Sequence, residues 1–380
     1  MNMWIPLEQV QCLRPLQKQL LQQCGAVYCH EILSTMTSSQ IAAKCAGQID
    51  AAEADSILDA LKEHCSRETL VPIRKLLAQE AVRDSKRIAT FSRELDGLLG
   101  GGVALGVLTE FCGAPGAGKT QLSLQLGVSC FLPQVFGGIQ TDEQHTMTCW
   151  YIDTEGSFSS SRFREVASAA VAQVTRIANQ QHWHTSMTAD DVTLMRNAAS
   201  TFSVEFILKN THVSRVCDIE PFLALIYSLP LMLRDHPSVK LIVIDSIAFP
   251  FRSAASGEHS AFSDPSALHR ALFHVGHILG KIAAEFNVSV IVTNQMTTRV
   301  SPAGDGAFGA SELVPALGDS WAHCVGTRVI LKAPTVPSVA FSNDNGAAQL
   351  RYAELVKSPT ELWGDCSFLV CGAGVRNAMR

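Results

Sequence analysis

Eight residues between 113 and 120 have the types and spacing to hold phosphate. Gly113-Ala114-Pro115-Gly116-Ala117-Gly118-Lys119-Thr120 is a complete G-x-x-x-x-G-K-T, set between an apolar run and a helical pattern. Glycines let backbone N–H groups close around phosphate oxygens, and the helix that follows points its positive end at them. Lys119 is placed to reach the β- and γ-phosphates of a nucleoside triphosphate, and Thr120 to ligate Mg²⁺. Such a loop needs a carboxylate on the metal side, and the apolar run 241–244 ends in Asp245. Alone, that Asp would equally serve to cap the next helix; the upstream loop decides for the metal. Asp153-Thr154-Glu155-Gly156 closes a further apolar run. Glu155 there either polarises a water for attack on the γ-phosphate or sits in a solvated turn. Asn294-Gln295 closes another, and the Gln295 amide can touch the γ-phosphate and the loop beyond it.

Those residues need strand ends and helix starts to aim them, and from about Phe91 the chain alternates strand and helix patterns. The spacing predicts buried strands over 107–112, 148–153, 212–216, 241–245, 288–293 and 328–332. Helices are expected over 119–130, 162–178, 221–233 and 268–286. The runs 350–356 and 367–370 read as antiparallel additions at a sheet edge. Four stretches rich in Gly, Ser, Ala or Asn (180–189, 253–265, 298–311 and 333–348) lack periodicity, and long loops of that kind are uncommon unless functional or disordered. Residues 1–66 differ: apolar stripes at Leu13, Leu16, Leu20 and Leu21, at Ile32, Leu33 and Met36, and at Ile57, Leu58 and Leu61 predict three short helices. Gly25 breaks the first, Thr37-Ser38-Ser39 closes the second, and Asp50 with Glu53 opens the third. Residues 67–90 turn basic, with six Lys/Arg against three Asp/Glu, and read as a connector with one amphipathic helix around Ile73, Leu76 and Leu77.

Among 380 residues, 47% are hydrophobic and 17% charged, enough for a large core, which excludes a disordered chain, a collagen and a disulfide-stapled miniature. Twelve cysteines at irregular spacings, with no basic-then-apolar leader, read as reduced thiols inside a cell. Cys24, Cys29, His30, Cys45, His64 and Cys65 lack a paired C-x-x-C and read as packing residues, not zinc ligands. No run of 18 apolar residues appears, so no membrane span is expected. The net charge of −5 means that any nucleic-acid contact must come from local basic features.

In this order, the motifs resemble those of the RecA-like strand-exchange ATPases, and the resemblance covers nearly the whole chain. Phe249-Pro250-Phe251-Arg252, Asn294-Gln295-Met296-Thr297-Thr298 and the segment from Leu313 to Trp321 (Leu-Val-Pro-Ala-Leu-Gly-Asp-Ser-Trp) look like the C member of the eukaryotic recombinase paralogues. The resemblance implies an α/β fold: a RecA-like P-loop ATPase core (91–380) with a mostly parallel central sheet. A small all-helical, helix-hairpin-helix-like domain (1–66) and a basic linker (67–90) precede it. It also implies a DNA-stimulated ATPase in homologous recombination that binds ATP and Mg²⁺. Gly113 to Thr120 and Asp245 carry over as phosphate and Mg²⁺ residues, Glu155 as the water-activating residue and Gln295 as the γ-phosphate sensor. Arg162 matches a position that stacks on adenine. Residues 252–265 and 296–311 match two DNA-binding loops, with Arg252 and Arg299 as their cations. Lys357-Ser358-Pro359 falls where a neighbouring subunit caps the nucleotide, and the filament-forming relatives carry Asp at that Lys. Single-stranded and branched DNA, other paralogues and the main recombinase filament are the implied partners. Nuclear localisation, with cytoplasm as a second compartment, rests on the resemblance, since the C-terminus carries no basic import run.

Charge limits that picture. Each DNA loop offers one Arg against two carboxylates, Glu258 and Asp264 in the first, Asp305 and Glu312 around the second, so one subunit should bind DNA modestly. Phe308 is the one aromatic platform of the second loop. The N-terminal module, at −3, is poorly suited to phosphate. Two other functions stay open: a scaffold with ATP as a joint between subunits, and a filament-forming recombinase or ring helicase. The complete Lys119, Thr120, Glu155 and Asp245 set argues against the first, and the Trp321 segment with its acid-balanced loops argues against the second.

Overall fold

The structure, a computed structural model, describes residues 7, 10, 12–26, 28–45, 48–67, 73–74, 86–140, 147–180, 188–256, 265–300, 311–334, 339–342 and 346–378. The chain forms two compact units, Met1–Val82 and Arg83–Arg380. The first holds α1 (Pro15–Gln23), α2 (Cys29–Thr35), α3 (Ser38–Lys44) and α4 (Ala51–Arg67). Pro15 suits the first turn of α1, where its missing N–H costs no hydrogen bond, and Gly25 ends the segment at φ 89°. Asp50 Oδ1 accepts from the Glu53 N–H at 2.7 Å, opening α4 as expected. Leu20, Leu21, Ile32, Ile41, Ile57 and Leu61 are buried together. The sequence reading missed α3. Thr37 does not close α2 but caps α3, accepting from the Gln40 N–H while Gln40 Oε1 accepts from the Thr37 N–H.

The second unit opens with an antiparallel pair, β1 (Arg87–Ile88) and β2 (Val103–Ala104), enclosing α5 (Arg93–Leu98). Residues 86–90, read as connector, thus belong to this unit: Ile88 is buried in its core and the Thr90 N–H donates to Asp96 Oδ1 at 2.7 Å. Two apolar residues are too few for a periodic signal. Next come β3 (Leu108–Gly113), α6 (Lys119–Ser129), β4 (Thr148–Asp153), α7 (Ser160–Ala178), α8 (Ala189–Thr201), α9 (Val204–Lys209) and β5 (Thr211–Arg215). Then follow α10 (Ile219–Asp235), β6 (Val239–Asp245), α11 (Ala248–Ser256), α12 (Pro265–Phe286), β7 (Ser289–Asn294), β8 (Met296–Val300), β9 (Ser311–Pro315) and α13 (Gly318–Cys324). The chain ends with β10 (Thr327–Lys332), β11 (Val339–Ser342), β12 (Gly346–Lys357), β13 (Gly364–Cys371) and β14 (Gly374–Asn377).

One sheet organises the unit, in the order β14-β13-β12-β10-β3-β7-β6-β4-β5, with β11 paired to β12. From β10 to β5 every pairing is parallel, and from β10 to β14 every pairing is antiparallel. This is the mostly parallel α/β core with an antiparallel extension that the pattern predicts. β3, β6 and β7 are buried almost throughout, as strands covered by helices on both faces must be. β5 differs from expectation: it is the exposed edge, paired with β4 alone among the described residues, and Val213 is 42% exposed. Regular structure also enters the stretches read as aperiodic. α11 runs to Ser256, β8 and β9 form an antiparallel hairpin, and β11 pairs with β12. Residues 257–264 and 301–310 of the two expected DNA loops lie outside the described residues, as do Leu76 and Leu77. Among the described residues no helix is long and apolar enough to cross a membrane, and no disulfide joins the cysteines.

Candidate functional site

The parallel strands bring the chemistry to one end of the sheet. Adjacent β10, β3, β7, β6 and β4 pair in registers that set Gly113 beside Leu331, Cys112 beside Asn294, and Asp153 beside Asp245. Helices that leave these ends start with their N–H groups toward the same edge, where open α/β sheets take ligands. At Gly113 an added Cβ would meet Leu331 O at 2.7 Å and Ala117 Cβ at 2.9 Å, so the loop is closed against β10. Gly118 caps α6 at φ 100°, a left-handed conformation that side chains resist. Pro115 and Gly116 are exposed on the loop rim. Arg351 Nε donates to Gly116 O at 3.0 Å, tying the loop to β12. Lys119 folds back on the loop, donating to Gly113 O at 2.7 Å and Ala114 O at 3.1 Å. Burial holds its ammonium below the ordinary lysine range, while Asp245 and Glu155 act the other way. A phosphate oxygen, being anionic, is a stronger acceptor than either carbonyl.

Asp245 is buried at the end of β6, with Oδ2 accepting from the Tyr151 hydroxyl at 2.8 Å and Oδ1 from the Thr293 hydroxyl. Neighbours in β4 and β7 thus satisfy a carboxylate that burial would otherwise penalise. The two strand ends are bolted together next to it. Thr154 Oγ1 donates to Ser246 O at 2.6 Å and accepts from the Ser246 N–H at 2.7 Å. Asp153, fully buried, accepts from the N–H groups of Ser157 and Phe158 and lies 3.3 Å from Arg215 Nε, so it shapes the turn that carries Glu155. Glu155 itself is exposed, and its Oε1 accepts from Ser246 Oγ at 2.5 Å and Gln295 Nε2 at 2.8 Å. Gln295 Oε1 accepts in turn from Arg252. Thr120, half-buried, opens α6 beside Lys119. Its hydroxyl and the Asp245 carboxylate are hard oxygen donors of the kind Mg²⁺ takes along with phosphate and water, so these residues fit that ion.

The remaining expected residues are placed less simply. The Arg162 guanidinium is bound along its edges, donating to Gln121 Oε1 at 2.9 Å, to Glu165 Oε2 at 2.9 Å, and to the carbonyls of Gly372 and Cys371 at 2.6 Å. It therefore bridges α7 to the β13–β14 turn. Lys357 is exposed, and its Nζ donates to Ala322 O at 2.8 Å, within α13 of its own chain. Ser358 Oγ accepts from the N–H groups of Thr360 and Glu361, and Pro359 lines a cavity of about 60 Å³ beside β1 and β2. The side chain of Arg299 lies outside the described residues. Sequence reasoning missed a buried charge cluster behind these strand ends. Glu110, inaccessible in mid-β3, accepts from Asn294 Nδ2 and Trp321 Nε1 at 2.7 Å and from Arg328 Nε at 2.5 Å. Register puts Glu110, Arg328 and Lys357 in a row across β3, β10 and β12. A lone carboxylate inside an apolar run was the available signal, because a buried charge must find partners.

A glycine-rich phosphate loop, a strand-end Asp and a strand-end Glu on one edge of a parallel sheet define a P-loop protein with a RecA-like core. The chain belongs to the Rad51 family, whose profile matches residues 83–206 and 193–378. It is 34% identical over 304 residues to "DNA repair protein RAD51 homolog 3" of Cricetulus griseus, covering 80% of this chain and 71% of that one. The protein of the same name from Dictyostelium discoideum is 36% identical over 251 residues, 65% of this chain and 57% of the relative. "DNA repair and recombination protein RadA" of Metallosphaera sedula is 28% identical over 293 residues, 77% of this chain and 73% of its own length. Proteins of this family are ATPases in general and bind ATP with Mg²⁺.

Proposed function

We propose that this chain is a DNA-stimulated ATPase and recombinase mediator, acting in homologous recombination repair as the C member of the recombinase paralogues. Its parts would be a helical module over 1–66, a basic connector from residue 67 that stops short of β1, and the ATPase core beyond. The observation that carries this is the convergence of Lys119, Asp245, Glu155 and Gln295 on adjacent strand ends. Gly113 to Gly118 cradle the phosphates with backbone N–H groups, and Lys119 exchanges its loop carbonyls for the β- and γ-phosphate oxygens. Mg²⁺, held through Thr120 and Asp245, supplies charge neutralisation on those oxygens when bound. Glu155 accepts the proton of a water as its oxygen attacks the γ-phosphorus, and the bond to the β-phosphate oxygen breaks. Arg162 offers a fixed guanidinium plane to the base.

Single-stranded DNA, with branched DNA as a variant, meets the chain at Arg252 and Arg299, while other paralogues and the main recombinase filament are its protein partners in the nucleus. Support for a protein partner comes from β5, an exposed parallel edge whose outer side pairs with no strand among the described residues. A cavity of about 340 Å³ adjoins it, lined in part by Trp150, His212, Val213, Leu229 and Met232. Such an edge accepts an added strand, with a pocket to select its side chain. Lys357, Ser358 and Pro359 would face the nucleotide of a neighbour.

The test is nucleotide binding and turnover. Lys119→Ala is expected to lose binding, and Glu155→Gln to bind ATP but hydrolyse it about 10²- to 10⁴-fold more slowly. Wild-type turnover by Glu155→Gln would remove Glu155 as the base. Lys357→Ala is expected to bind nucleotide normally and to retain its partners less well in pull-downs. Normal assembly, with unchanged partner ATPase, would leave Lys357 as a support for α13.

A further inference from the structure

Arg252 is tied to the ATPase residues from outside the phosphate loop. α11 is anchored by Phe251, buried edge-on against Phe222 with ring centroids 6.1 Å apart, and by buried Ala254. Between them Arg252 is exposed, and its guanidinium donates to Gln295 Oε1. Gln295 has its backbone fixed on both sides: its N–H donates to Asn294 Oδ1 and its carbonyl accepts from the Ala316 N–H, each at 2.8 Å. What remains to be set is the orientation of its side-chain amide, which has one accepting end and one donating end. A guanidinium only donates, so the amide turns Oε1 to Arg252 and Nε2 to Glu155. Nε2 then shares Glu155 Oε1 with the Ser246 hydroxyl.

We propose that Arg252 is a positioning residue for Glu155, acting through the Gln295 amide as a latch that a nucleic-acid phosphate opens. This rests on the ATPase function proposed above. Two donors occupy Glu155 Oε1 and aim the carboxylate at Ser246 and Gln295 rather than at an attacking water, so the latched arrangement is the resting one. A phosphate oxygen is anionic and draws a guanidinium more strongly than a neutral amide oxygen does. When DNA takes Arg252, the bond that turns Oε1 outward is lost; the amide turns, and Glu155 Oε1 keeps only the Ser246 donor and can face the attacking water. One guanidinium thus serves either the amide or the DNA, and the two compete.

Competition is tested on the full-length chain with an oligothymidine of about 30 nucleotides, a length that spans several binding modules. Arg252→Ala is expected to raise DNA-free ATP turnover several-fold and to abolish further stimulation by DNA. Arg252→Lys, which restores a donor, returns part of that stimulation. An Arg252→Ala protein whose DNA-free turnover equals or falls below that of the parent would overturn the latch and leave a phosphate contact alone. A second measurement does not depend on hydrolysis. Gln295→Ala releases Arg252 from its competitor and is expected to tighten oligothymidine binding several-fold, while in the Arg252→Ala background the same change does nothing. Equal effects of Gln295→Ala in both backgrounds would also overturn the latch. Failure of the ATPase function itself shows separately, as unchanged turnover in Lys119→Ala and Glu155→Gln.

Discussion

Glu110 is a buried carboxylate in the middle of β3, outside the phosphate loop. Its carboxylate is inaccessible and joined to Asn294, Trp321 and the 12%-exposed Arg328, so removing it strands a guanidinium in the core. Glu110→Ala is expected to cost about 3–5 kcal/mol in urea unfolding, as for other broken buried pairs. Glu110→Met with Arg328→Met should cost much less than the two single changes summed. Thr293→Val removes one donor from buried Asp245 and is expected to cost about 1–3 kcal/mol. Asp96 yields a pH-dependent prediction. Burial pushes its carboxyl up to about 6 from an ordinary 3.8, against the opposing Thr90 N–H. Folding therefore takes up a proton between those values; the benefit is complete below 3.8 and lost as pH rises through 6. Asp96→Asn keeps an acceptor for Thr90 without a charge. It should be about 1–2 kcal/mol more stable than the parent at pH 8, with the gap closing toward pH 4. Of these residues, only those at strand ends were legible. Asp245, Glu155 and Gln295 stand where an apolar run stops, and Lys119 closes a glycine-rich motif, both one-dimensional signals. Glu110–Arg328 and Arg252–Gln295 depend on which distant elements become neighbours, which local pattern does not carry.

Among the elements, long apolar strands and amphipathic helices were readable to within a few residues, as β4 at 148–153 and α12 at 265–286 show. The missed elements share a cause. α3 has one buried residue, Ile41, and α8 has two, Met195 and Ala199, so neither offers a stripe; caps at Thr37 and Thr188 start them instead. β5 kept a strand pattern although exposed, because periodicity reports conformation and not what covers it. The contact of α12 with α13 explains the Trp321 segment. An added Cβ on Gly276 would lie 2.7 Å from Cys324 Cβ and 3.1 Å from the Trp321 ring. Gly276→Ala is therefore expected to destabilise by about 1–3 kcal/mol in denaturant titrations, although alanine favours helix. Stability equal to the parent would mean that α13 shifts freely, and the donation from Trp321 to Glu110 would then be soft.

At the scale of the molecule, the phosphate loop is made from parts distant in the chain. β3, which carries it, pairs with β7 near residue 290 and β10 near residue 330, and with no strand nearer in sequence among the described residues. A chain ending at residue 315 keeps the whole motif from Gly113 to Thr120 but lacks the Leu331 wall against Gly113 and the Arg328 partner of Glu110. It is expected to show no binding of a fluorescent ATP analogue and rapid proteolysis; nucleotide binding by that piece would mean that the loop needs only its own helix. During synthesis β3 leaves the ribosome some two hundred residues before its second neighbour exists. At about 5–20 residues per second, an apolar strand with a charge at its centre waits for about ten seconds or more. Such a strand is a natural client for chaperones, and slowed elongation between β3 and β10 should lower the yield of this unit more than that of the short-range helical one.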